Sequence, residues 1–262
     1  MITLPKVREM KYLFLVFLFL ITVLCGSSFS AESDVKVLKV AVAANFIEPF
    51  KVISADFEKR TNVKVEATYS SSGAFYVQIL NGAPYDIFLS ADEERPRLLY
   101  DNGFAEKPFL YATGFVVLWQ RKSDDTTCQE RKNWQKLVQS KEVKRIAIAN
   151  PKIAPYGDAS QQAIASAKLD VVLNDKFVFA QNIGEAFHYA LTGSVDVAFC
   201  ALSSALSSKG ENGCYLLIKE APPIKQYGCI IKKSNNQDVA NQLVEFLSSK
   251  EVRLIKEGYG YR

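Results

Sequence analysis

The stretch Val37-Leu38-Lys39-Val40-Ala41-Val42-Ala43-Ala44-Asn45-Phe46-Ile47-Glu48-Pro49-Phe50 is where one backbone period gives way to another. From Val37 to Ala44 the chain is apolar and β-prone, whereas Phe46, Phe50, Ile53 and Phe57 recur at helical spacing. A strand therefore stops and a helix starts at Asn45, which becomes an N-cap candidate. The plan repeats at once. Val63 to Tyr69 alternates as a strand does, and after Tyr69-Ser70-Ser71-Ser72-Gly73 the residues Phe75, Tyr76, Ile79 and Leu80 read as a short helix with Ser71 and Ser72 at its N-terminus. Two helix starts carrying amide and hydroxyl side chains beside unpaired N–H groups suit an anion, because each macrodipole places roughly +0.5 charge there. Asn and Ser cap helices of every kind, so the anion reading rests on the two starts together.

Outward from this pair the chain keeps alternating. Strands are expected at 37–44, 63–69, 86–90, 111–119, 145–149, 195–200, 214–218 and 227–232, and helices at 46–60, 73–81, 93–102, 158–168, 183–192 and 236–248. Such alternation argues for an α/β fold with a mostly parallel sheet covered by helices. Two stretches, Ala112 to Gln120 and Gln226 to Lys233, lack flanking helical crossovers. If they pass between lobes, lobe 1 comprises 36–113 with 230–262, lobe 2 comprises 114–229, and a ligand sits in the cleft between them. A single continuous sheet is the alternative, and the pattern alone leaves both open.

Composition narrows the function. Residues 1–31 have the form of a cleavable export signal: Lys6, Arg8 and Lys11, then an apolar run from Leu13 to Leu24, then Ser28-Phe29-Ser30. The apolar run is shorter than the roughly 20 residues of a bilayer span. Thr22-Val23-Leu24 before Cys25 lacks the pattern of a lipoprotein signal, so Cys25 is expected to leave with the signal. The remaining chain carries 29 basic and 27 acidic side chains, a net charge of +2, with no basic tract of the kind that marks a nucleic-acid surface. Cys128, Cys200, Cys214 and Cys229 remain in a compartment where disulfides persist, and one bridge is expected without its pairing being fixed. The single histidine, His188, lies between Phe187 and Tyr189 and fits a helix surface better than a metal site. No metal cofactor is expected.

Several motifs, taken in order, resemble one family. Besides Val42-Ala43-Ala44-Asn45-Phe46 and Ser71-Ser72-Gly73, they are Asn81-Gly82-Ala83-Pro84-Tyr85-Asp86-Ile87-Phe88-Leu89-Ser90-Ala91-Asp92, Ala149-Asn150-Pro151, Pro155-Tyr156-Gly157, Gly193-Ser194-Val195-Asp196-Val197-Ala198 and Gly258-Tyr259-Gly260. Together they resemble the periplasmic molybdate-binding proteins of ABC importers, the ModA family. The resemblance implies a periplasmic binding protein type II fold, two α/β lobes joined by a two-strand hinge, and a non-enzymatic monomer that captures molybdate or tungstate and passes it to a membrane permease. It implies that Ala44 or Asn45, with Ser71 and Ser72, serve from the first lobe, and that the backbone N–H groups of Tyr156 and Ile183 serve from the second. Some members use a tyrosine hydroxyl where this chain has Ala201, and the Asn45 amide is expected to stand in for it.

The chemistry agrees with those residue types. A tetrahedral dianion carrying no proton near neutral pH needs donors only, and hydroxyl, amide and backbone N–H groups supply them. Phosphate keeps a proton and benefits from an acceptor, so Asp158 pointing into the cleft would favour it; a place in the first turn of a helix is the expected role instead. Sulfate and thiosulfate receptors of the same fold are the nearer alternatives. An exported serine hydrolase using Ser71 or Ser72 is the remote one, since no Gly-x-Ser-x-Gly elbow or Ser-x-x-Lys surrounds these serines and His188 would be the sole imidazole. Asp86 and Asp92 are expected to end and cap the strand they flank.

Overall fold

The computed structural model describes residues 36–122 and 133–262, which build two five-stranded sheets within one compact unit. The expected signal at 1–31, with Cys25, and also Cys128 lie outside the described residues. In the first sheet β1 (Val37–Ala43), β2 (Lys64–Ser70) and β3 (Ile87–Leu89) run parallel, linked by α1 (Ile47–Thr61) and α2 (Ser72–Leu80). After α3 (Glu94–Asp101) comes β4 (Phe109–Gly114). The chain then leaves for the second sheet.

There it forms β5 (Val116–Arg121), α4 (Trp134–Gln139), β6 (Ile146–Ala149), α5 (Pro155–Ser166), α6 (Asp170–Leu173) and β7 (Phe177–Ala180). It goes on through α7 (Ile183–Leu191), β8 (Val197–Ala201), α8 (Leu202–Ala205) and β9 (Gly213–Leu217). It returns to the first sheet as β10 (Ile224–Ile230) and closes with α9 (Gln237–Leu247) and α10 (Lys250–Gly258). The strand orders are β2-β1-β3-β10-β4 and β7-β6-β8-β5-β9.

One strand in each sheet runs against the rest: β10 pairs antiparallel with β3 and β4, and β5 pairs antiparallel with β8 and β9. Each is the strand by which the chain arrives from the other lobe. It starts at the cleft, where the parallel strands finish, and so must run the opposite way.

Helices cover both faces of the first sheet, and strand alternation divides the core between them. Val40 and Val42 join Phe46, Phe50, Ile53 and Phe57 with Leu243 and Leu247, whereas Ala41 points to Phe75, Phe88, Leu99 and Ile231. In the second lobe Trp119 and Phe187 meet edge-on at 5.1 Å, and Trp134 and Phe199 at 5.8 Å. Among the described residues no helix is long and apolar enough to cross a membrane.

Three expectations need correction. The stretch 111–119 is not one strand but the end of β4 and the start of β5, in different sheets, with Phe115 between them. Residues 224–229 belong to the first lobe, because β10 is hydrogen-bonded between β3 and β4; the second crossing therefore precedes Ile224 rather than Ile230. The elements β7, α4, α6, α8 and α10 were not expected at all. Of the cysteines, Cys214 is disulfide-bonded, and Cys200 and Cys229 are free and buried.

Gly114 sits beside the first crossing, where a Cβ would lie 1.9 Å from the Tyr156 hydroxyl and 2.5 Å from the Gln226 amide nitrogen. Gly114→Ala is therefore expected to lower the unfolding free energy by about 1–3 kcal/mol, the usual cost of overpacking. A urea midpoint equal to that of the parent would show that the two side chains move aside freely.

Candidate functional site

The two lobes present equivalent edges to the cleft. In the first, β1 and β2 end side by side, with Ala43 opposite Ser70; in the second, β6 and β7 do so, with Ala149 opposite Ala180. A helical segment starts from each of the four strand ends. A single 3-10 turn, Ala44–Phe46, leads into α1; Ser71 caps α2; Pro155 opens α5; and Asn182 caps α7 with its side chain accepting from Glu185 N–H at 3.0 Å. The first N–H groups of each start have no partner within their own helix. Ala44, Asn45, Ser71, Ser72, Tyr156 and Ile183 all line one pocket between the lobes, with only about 10 Å³ of free space. That is about one water's worth. No residue lining it is charged.

Size alone would point elsewhere. A cavity of about 570 Å³ opens at the other end of the first sheet, beside Val37, Asp86 and Ile231. Its carboxylate is already engaged, since Asp86 accepts from Lys39 N–H at 2.7 Å, from the Ser234 hydroxyl at 2.6 Å and from the Asn236 amide. Asp86 thus secures the start of β3, while Asp92 accepts from Arg95 N–H at 2.9 Å in the first turn of α3. They hold opposite ends of the strand and form no acid–base pair.

Within the pocket the serines keep a proton to give. Ser72 Oγ accepts from Ala91 N–H at 2.9 Å and Ser71 Oγ from Ala74 N–H at 3.4 Å, which leaves both hydroxyl hydrogens free. Asn45 departs from expectation. It lies inside the 3-10 turn, caps nothing with its side chain, and spends both amide hydrogens on Gln226 Oε1 at 2.7 Å and Tyr261 Oη at 3.0 Å. Its Oδ1 is buried without a partner. Ala201 ends β8 fully buried and carries no hydroxyl. Asp158 is exposed and accepts from Gln162, and His188 is exposed on α7 outside this pocket.

Behind the pocket lies a polar network absent from the sequence reading. Gln226 Nε2 donates to Tyr156 Oη at 3.0 Å across the cleft, the Tyr111 hydroxyl lies 3.0 Å from both Gln226 Oε1 and Ser90 O, either of which can take its single hydrogen, and the Tyr261 hydroxyl lies 2.8 Å from Asn45 O. Burial raises the Tyr111 and Tyr156 phenols well above their ordinary value and pushes Tyr261 up to about 12. All three are neutral across the physiological range. A signal existed for Gln226, a long polar side chain in an apolar strand; none singles out Tyr261 from the other tyrosines.

Two α/β lobes that close helix N-termini around a small uncharged pocket define a bilobal solute receptor. The chain belongs to the bacterial extracellular solute-binding protein family, whose model matches residues 38–262. It is 36% identical to the molybdate-binding protein ModA of Azotobacter vinelandii, over 86% of this chain and 89% of that one. It is 35% identical to ModA of Rhodobacter capsulatus, over 84% and 86% respectively. The solved structure of the Azotobacter vinelandii periplasmic molybdate-binding protein superposes with a TM-score of 0.78 at 32% identity, covering 86% of this chain and 98% of that one. The resemblance read from the motifs is thus a family relationship, with the α/β two-lobe architecture that family implies.

The buried phenols give the pocket a pH signature. Above pH ~10 the unfolded chain sheds phenolic protons that the folded chain keeps, so ν_U falls below ν_N and stability drops as pH rises. The contribution is intact below pH ~10 and is lost on the way to about 12, the value for Tyr261. Denaturation midpoints are expected to be insensitive to these groups from pH 7 to ~9.5 and to fall beyond it, less steeply in Tyr261→Phe. An equal slope in that variant would show that Tyr261 ionises as freely folded as unfolded.

Proposed function

We propose that this protein captures molybdate, and tungstate with it, in the pocket between its lobes, and presents the closed form to the permease of an ABC importer. The observation that carries the proposal is the meeting of four helix starts, two from each lobe, on a pocket with no charged residue. A dianion there is stabilised by N–H dipoles and hydroxyl hydrogens, and it brings the two lobes together because each supplies half of the donors. The names of the relatives support molybdate as the solute. No cofactor takes part, since molybdenum enters only as its oxyanion. The protein acts as a monomer in this proposal, as the motif resemblance implies. Capture outside the cytoplasmic membrane fits the family description and the export signal read in residues 1–31.

Asn45 Oδ1 is the feature at odds with a donor-only pocket. Turning the Asn45 and Gln226 amides over together keeps their mutual bond with donor and acceptor exchanged, since Gln226 Nε2 then gives to Asn45 and Tyr111, Oε1 takes the Tyr156 proton, and the Tyr261 hydroxyl turns its hydrogen to Asn45 Oδ1 while Ser203 keeps Asn45 O. The Asn45 N–H groups then occupy the side where no partner exists, and the pocket donates throughout.

Catalysis by Ser71 or Ser72 finds no support, because no imidazole, lysine or carboxylate lines the pocket with them. Phosphate finds none either, since Asp158 faces solvent.

Calorimetric titration with molybdate, tungstate, sulfate and phosphate in parallel is expected to show tight binding of the first two and much weaker binding of the others. Ser72→Ala should weaken molybdate by about 1–3 kcal/mol, the cost of leaving a buried charge one hydrogen bond short; Asp158→Asn should leave it unchanged. Silence toward all four anions would overturn the proposal.

A further inference from the structure

We propose that the last two residues, Tyr261 and Arg262, latch the two lobes together, and that Tyr261 is thereby a positioning residue for the pocket. The latch itself stands on hydrogen bonds between lobes; what the closed pocket holds rests on the oxyanion reading above.

The tail is aimed at the cleft by its own geometry. Gly260 takes φ +77°, and a Cβ there would lie 2.5 Å from Leu202 Cδ2, so the chain turns sharply and passes tight over α8 of the second lobe. Lys256 ties the preceding helix down by donating to Tyr111 O at 2.7 Å and Leu247 O at 3.0 Å. The Tyr261 ring, 3% exposed, then stands edge-on to Phe46 at 5.2 Å.

Its hydroxyl is where the lobes meet. On the first-lobe side it lies 2.8 Å from Asn45 O and 3.0 Å from the Asn45 side-chain amide; on the second-lobe side its single hydrogen also reaches Ser203 Oγ at 3.1 Å. Ser203 in turn donates to Asn45 O at 2.7 Å. Asn45, which lines the pocket, is thus held at its carbonyl by Ser203 of the second lobe as well as by Tyr261 of its own, and a lobe rotation would separate the Ser203 contacts. Phenylalanine at 261 would satisfy the packing on Phe46, so the hydroxyl serves this junction.

Arg262 fastens the other end of the device. Its N–H donates to Thr113 O at 3.0 Å and its C=O accepts from Thr113 N–H at 2.8 Å, which extends the edge of β4 by one bridge. Its guanidinium lies over the Phe115 ring, 5.0 Å from the centroid. Phe115 is the residue at the first crossing, and its carbonyl accepts from Leu202 N–H at 2.9 Å. One dipeptide therefore grips both the crossing about which the lobes turn and the residue that they close on.

The test compares the full protein with Tyr261→Phe, Ser203→Ala and the double variant, using molybdate as the probe. Stopped-flow mixing should show molybdate leaving either single variant about three- to tenfold faster, a fold-change fitting one hydrogen bond, with association changed less because the effect of such substitutions falls mostly on release. The double variant should cost less than the sum of the two single ones, because the Tyr261 and Ser203 hydroxyls share the Asn45 carbonyl and meet each other. Unchanged release from Tyr261→Phe, or effects that simply add, would overturn the latch. Small-angle scattering without anion separates this failure from failure of the ligand assignment. If the parent binds no oxyanion the assignment falls, and the latch is then decided by scattering alone: a larger radius of gyration in Tyr261→Phe supports it, and superposable curves overturn it.

Discussion

The N–H groups that open a helix cannot be satisfied within it, and much of this fold is arranged so that four such openings meet. Parallel strands put their carboxyl ends, and hence the following helix starts, at one edge of each sheet. Two lobes facing each other by those edges bring β1 and β2 opposite β6 and β7. The chain must then cross twice, and each returning strand must run antiparallel, which fixes β5 and β10 in their places. Gly114 at the crossing and Gly260 at the tail leave room where side chains of the opposite lobe approach.

A pocket of this kind works by what it excludes as well as by what it offers. A fixed cation would bind any small anion and would leave a buried charge unpaired in the empty protein, at considerable cost. Partial charges at helix ends carry no such penalty, because they belong to backbone already hydrogen-bonded behind them. The phenols beneath serve the same end. Tyr111, Tyr156 and Tyr261 stay protonated through burial, so the network supports Asn45 and Gln226 without adding charge. On the proposed reading, discrimination among dianions falls to the fit of a very small space bounded by Ala43, Ala44, Ala91 and Ala154.

What could be read in advance follows the range of each interaction. The passage from β1 to the Ala44–Phe46 turn and the Ser71 cap on α2 are local events, written in a change of period and a favoured cap residue. The boundary at Phe115 was not legible, because Tyr111 to Trp119 is apolar and β-prone on both sides and only Gly114 interrupts it. The membership of β10 depends on partners far away in sequence, β3 and β4. Asn45 shows the limit most clearly. Its type and place suggested a cap, yet its amide is claimed by Gln226 and Tyr261, 181 and 216 positions along the chain.

Those distant claims also decide what holds the lobes closed. Lys209 reaches Glu48 across the cleft at 3.6 Å, but its side chain is 58% exposed, and such a pair contributes little after screening and side-chain entropy. The Gly73 N–H to Ile153 O bond at 2.9 Å and the buried Gln226 to Tyr156 bond at 3.0 Å also join the lobes, beside residues that line the pocket. Closure is thus governed by short neutral hydrogen bonds rather than by surface charge. Each contributes only about 0.5–1.5 kcal/mol net, so the closed form is held by a modest margin that a solute supplying bonds to both lobes can readily enlarge. A receptor that must also release its solute needs that margin small, and neutral bonds at the cleft floor keep it so.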